Sequence, residues 1–81
     1  LRRMAERNSS GTPQAQALTP RERQVLGLVA GGFSNREIGE KLGITTGTAK
    51  AHVERVIGKL GAADRTQAAV RGIALGLVTP L

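Results

Sequence analysis

The stretch GITTGTAKAHVERVIGKLG, residues 43–61, has a glycine at each end and a single apolar stripe between them. Ala49, Val53, Val56, Ile57 and Leu60 stand at successive offsets of 4, 7, 8 and 11 from Ala49, which is one face of a helix. Thr45 precedes the run as an N-cap and Gly61 ends it, so the spacing predicts a helix reaching about Leu60. The opposite face carries Gly47, Lys50, Ala51, Glu54 and Gly58, flanked by Thr46, Thr48, Arg55 and Lys59. A solvated face usually carries long charged side chains throughout. Here small residues alternate with charged ones, and that profile lets a helix sit deep in a groove.

Working outward, the pattern stays helical. In LTPRE, Thr19 is a cap, Pro20 suits the first helical position and Glu22 completes a capping box. Val25, Leu26, Leu28, Val29 and Ala30 give that first helix an apolar face, and Gly31 and Gly32 stop it. SNRE repeats the start signal with Ser34 and Glu37; a short helix follows with Ile38 and Leu42 on one side, ending at Gly43. Asp64 and Gln67 open a last, capping-box-like helix that runs to roughly Gly76. No segment alternates with period two, so the expected fold is all-α.

The short helix, Gly43, Ile44 and the helix after it have the layout of a helix-turn-helix. Gly43 takes positive φ at low cost, which turns the chain sharply and projects the next helix outward. An ordinary helical hairpin uses similar turn chemistry, so the outer face has to decide. In a major groove Lys50 suits guanine acceptors, Ala51 a thymine methyl and Glu54 a cytosine amine. Thr46, Thr48, Arg55 and Lys59 suit phosphates. The plainer alternative for Lys50 and Glu54 is an i,i+4 ion pair in the less favourable order.

Composition points the same way. Among 81 residues, twelve Lys and Arg against six Asp and Glu leave a net charge of +6. Such an excess on so small a unit favours a polyanion. Phe33 is the only aromatic residue, whereas single-strand binders stack bases on several rings, so a duplex fits better. There is no cysteine, and nothing approaches the ~18 consecutive apolar residues of a membrane span. Residues 9–17, SSGTPQAQA, have linker composition, and LRRMAER before them places Leu1, Met4 and Ala5 at helical spacing. Residues 1–17 are therefore expected to be a linker or the end of an upstream regulatory domain, with residues 18–81 as the folded unit. The opening Leu1 suggests a piece of a longer protein.

The run LTPRERQVLGLVAGGFSNREIGEKLGITTGTAKAHVERVIGKLGAADRTQAA resembles the DNA-binding domain of the LuxR family, which includes the NarL/FixJ response regulators, over about residues 18–78. The resemblance rests on LTPRE, SNREI, LGI, GTAKAHV, KLG and RTQA together, each weak alone. It implies a four-helix domain, a tri-helical helix-turn-helix with an extra C-terminal helix. The third helix would enter the major groove of double-stranded DNA and the fourth would help a homodimer form on it. Carried over by position, Lys50 and Ala51 match the base-contacting pair and Glu54 a variable reading position. Lys59, Arg65 and Thr66 match phosphate contacts. Ala49 stands where the family usually has valine, and Gly39 where alanine is typical. Both departures remove volume between the second and third helices, so closer approach or a softer core is expected.

The last helix needs one stripe to close the core, offered by Ala69, Val70, Ile73, Ala74 and Leu77. Ala68, Gly72 and Leu75 are then left as a second patch that could meet a copy of itself. The alternative is that all of them are core. His52 has no second histidine, no cysteine and no carboxylate pair beside it, so a flank of the reading helix or half-buried packing suits it better than a metal or catalysis. Ser34 and Asp64 read as caps, and no G-x-x-x-x-G-K loop is present. No enzyme, metal or cofactor is expected. The leading function is the output domain of a cytoplasmic bacterial transcriptional regulator, with a two-component response regulator ahead of a quorum-sensing one. The start and the helix-turn-helix also resemble region four of sigma factors, but the capped fourth helix favours the regulator. A purely protein-binding helical module is the remaining reading.

Overall fold

Each helix starts where a side-chain oxygen can take an otherwise unsatisfied backbone N–H. The computed structural model describes residues 18–78. Its helices are α1 Pro20–Ala30, α2 Asn35–Leu42, α3 Thr46–Lys59 and α4 Arg65–Ala74, with no strand among the described residues. The expectations for residues 1–17 lie outside the described residues.

The two capping boxes form as the sequence predicts. Thr19 Oγ1 accepts from Glu22 N at 3.1 Å while Thr19 N donates to Glu22 Oε1 at 2.9 Å. Ser34 Oγ and Glu37 repeat the exchange at 3.1 and 2.8 Å. At α4 the box is displaced by one residue. Asp64 Oδ1 accepts from Gln67 N, but the Gln67 side chain returns to Ala63 N at 2.7 Å rather than to the cap itself.

Gly43, at φ +70°, ends α2 in the left-handed region. The amides of both Gly43 and Ile44 donate to the carbonyl of Gly39, which folds the chain back into α3. A Cβ on Gly39 would sit 2.8 Å from Ile44 O, closer than real Cβ atoms come to backbone. The departure at Gly39 therefore goes with close approach. Ala49, in the first turn of α3, is fully buried.

The core comprises Leu18, Val25, Leu26, Val29, Ile38, Ala49, Val53, Val56, Leu60 and Ala68. α1 packs on both α3 and α4, and α2 packs chiefly on α3. The α3 stripe is inside as expected, with Ile57 only half-buried. The last helix follows the expectation only in part: Ala69 and Leu77 pack against the core and Leu75 is exposed as expected, but Ala68 and Gly72 exchange places with Val70, Ile73 and Ala74. Ala68 is 1% exposed and Gly72 is buried, while Val70 (61%), Ile73 (38%) and Leu75 (43%) remain at the surface. Ala68 and Gly72 are thus not an interface patch. A Cβ on Gly72 would lie 2.8 Å from Leu26 Cδ2, so α4 reaches α1 only because this position has no side chain.

Leu26 is itself fully buried and has nowhere to retreat. Gly72→Leu is expected to lower unfolding stability by about 1–3 kcal/mol through overpacking. Ala74→Leu, on the exposed side of the same helix, should stay within about 0.5 kcal/mol. Urea unfolding of both variants checks the assignment of faces.

Candidate nucleic-acid interface

The outer side of α3 is open to solvent along its length. Thr46, Gly47, Thr48, Lys50, Ala51, Glu54, Arg55 and Gly58 are all exposed, opposite the buried stripe. Lys50 and Glu54 form no ion pair with one another, so the i,i+4 alternative is not realised. Both line a cleft of about 300 Å³ with Asn35, Val53, Ile57, Asp64 and Arg65, where the starts of α2 and α4 meet α3. His52 is half-buried on the flank, its Nδ1 3.5 Å from Arg55 Nη1, a marginal contact. No helix among the described residues is long and apolar enough to cross a membrane.

Three cations are engaged by other parts of the fold. Lys59 was expected at a phosphate, but its Nζ lies 2.8 Å from Oε1 of the buried Glu22. The pair ties the end of α3 to the start of α1, and only about a third of the Lys59 side chain meets solvent. Arg65 was also expected at a phosphate. Its Nη1 donates to Asn35 Oδ1 at 2.9 Å and its Nη2 to Phe33 O at 2.7 Å, bracing α4 against the start of α2. Arg71 Nη1 donates to the carbonyls of Leu60 and Gly61, both at 2.9 Å, satisfying the C-terminal end of α3 with a positive charge. Thr66 is exposed, but it lines a different cleft with Val29, Phe33 and Ser34 rather than the one beside Lys50.

Sequence reasoning saw Glu22 only as a cap. One signal could have shown more: Glu22, Val25, Leu26 and Val29 share the helical spacing of one face, which puts a carboxylate on the apolar side of α1. Arg71 and Asn35 carried no comparable local signal, because their partners are distant in sequence or set by packing.

A short first helix, a glycine turn and an outward second helix with a narrow, cation-edged face define a helix-turn-helix DNA-binding domain. Its relatives agree. Residues 16–71 match the model of the "Bacterial regulatory proteins, luxR family", and the chain belongs to that family. It is similar to the transcriptional regulatory protein LiaR of Bacillus subtilis, 44% identical over 70 residues, which are 86% of this chain and 33% of LiaR. The response regulator protein VraR of Staphylococcus aureus is 40% identical over 70 residues, 86% of this chain and 34% of VraR. This chain thus spans about a third of the length of these relatives. The solved structure of the transcription factor GerE superposes with a TM-score of 0.71 at 34% identity, covering 76% of this chain and 92% of GerE.

The Glu22–Lys59 pair makes stability depend on pH. The hydrogen bond from Lys59, then that from the Thr19 backbone, hold the Glu22 carboxyl below its ordinary value of 4.5 despite burial. On acidification the unfolded chain takes up this proton first. The stabilisation is complete above the unfolded-state value and disappears as pH falls through the lower folded-state one. Lys59→Met is expected to raise the Glu22 pKa and move acid unfolding to higher pH. Thermal melts between about pH 3 and 7 read the shift.

Proposed function

We propose that this domain reads duplex DNA by lowering the exposed face of α3 into the major groove. It would serve as the output end of a two-component response regulator working in the bacterial cytoplasm. The observation that carries the reading is that Lys50, Ala51 and Glu54 are exposed together opposite the core stripe, with Lys50 and Glu54 outside any ion pair among the described residues. Lys50 would donate to guanine acceptors, Ala51 would touch a thymine methyl and Glu54 would accept from a cytosine amine. Thr46, Thr48 and Arg55 border this face and would anchor phosphates. The response-regulator assignment is supported by similarity to relatives such as VraR, a response regulator protein of Staphylococcus aureus.

Cognate duplexes selected from a random pool provide the test. Affinity should fall steeply with salt. Lys50→Ala should cost about 1–3 kcal/mol on the selected site and relax preference at one position, whereas Arg55→Ala should weaken all duplexes alike and reduce the salt slope by about one. Binding indifferent to salt, or to Lys50, would falsify the reading.

Pairing of two copies on adjacent half-sites is the second part of the proposal. It is supported by the exposed apolar side chains Val70 and Ile73 on α4 and Leu75 at its C-cap; of the patch the sequence suggested, Leu75 is exposed while Ala68 and Gly72 are buried. Leu75→Glu with Val70→Glu should leave single-site binding unchanged and remove cooperativity on a two-half-site duplex, read by a gel-shift titration.

A further inference from the structure

We propose that Asn35 is a phosphate-contacting residue of this domain and that Arg65 is the residue that positions it. The proposal rests on the duplex-reading function argued above. A guanidinium offers only donors, so the Asn35 side-chain atom 2.9 Å from Arg65 Nη1 has to be the carbonyl oxygen. That choice fixes the rest of the amide. Its nitrogen, with two N–H donors, is turned away from Arg65, and no described residue accepts from it.

The brace is rigid because the guanidinium is planar and held at two points, by Asn35 Oδ1 and by the Phe33 carbonyl at 2.7 Å. Asn35 is the first residue of α2 and is half-buried. It shares its cleft with Lys50 and Glu54, so the amide borders the face that reads bases. When the second helix of such a motif lies in the groove, the first crosses the sugar–phosphate backbone. Asparagine amides are among the groups that donate to phosphate there. Arg65 therefore acts at one remove: its charge stays inside the fold and its geometry is delivered through a neutral side chain.

Charge separates the two roles. Each phosphate neutralised by a cation changes the slope of log affinity against log salt by about 0.9, and a neutral amide changes it by nothing. The probe is a random-sequence duplex at low salt, titrated with the domain over a range of salt. Wild-type binding with a steep slope shows the duplex binding on which both proposals depend; no binding overturns both. Asn35→Ala should then bind about tenfold more weakly, the scale of one hydrogen bond to a charged group, with the slope unchanged. Arg65→Lys should show the same loss, and the double variant should be no weaker than either single one. Asn35→Asp keeps an oxygen toward Arg65 while replacing the outward N–H donors. It should melt at or above the wild-type temperature yet lose at least tenfold in binding, which holds even if Arg65→Lys fails to fold. Three results overturn the proposal: Asn35→Ala or Asn35→Asp binding within twofold of wild type, multiplicative losses in the double variant, or a slope reduced by about one in a folded Arg65→Gln, which would put Arg65 itself on the phosphate.

Discussion

The close approach at the α2–α3 turn is the constraint from which the interface follows. Gly39 brings the α2 backbone against the carbonyl of Ile44, and Gly43 supplies the left-handed residue. With Gly39 allowing that approach and Gly43 that turn, α3 leaves with its apolar stripe against the core. The same geometry leaves the opposite face uncovered. A bulkier junction would change the angle of α3, and with it where Lys50, Ala51 and Glu54 point.

Around that junction the basic residues divide into two groups. Lys59, Arg65 and Arg71 bind to Glu22, to Asn35 and Phe33, and to the Leu60 and Gly61 carbonyls. Each joins elements that apolar packing alone would hold loosely in so small a core. Lys50 and Arg55 stay on the outer face of α3. A net positive charge thus does two things here: part of it fastens the frame, and part is available to a polyanion.

The fourth helix shows how a sequence stripe can mislead. By residue type, Val70 and Ile73 are better core candidates than Ala68 and Gly72. The structure buries the small pair because α1 presents Leu26 at that point, and only a residue without a side chain lets the helices meet. The larger residues are then left at the surface, where they form the apolar side of the domain.

Local chemistry determined much of what is seen: the four helices, their caps at Thr19, Ser34, Thr45 and Asp64, the turn at Gly43 and the α3 stripe were all legible in sequence. These depend on neighbours within about one helical turn, and such short-range rules leave a readable pattern. The outward set Lys50, Ala51 and Glu54 was legible for the same reason, being the complement of a clear stripe. The side of α4 that is buried, the partner of Lys59 and the turning inward of Arg65 were not. Those were decided by where helices distant in sequence come to rest, since a long flexible cation goes to whichever carboxylate, amide or carbonyl the packing brings within reach.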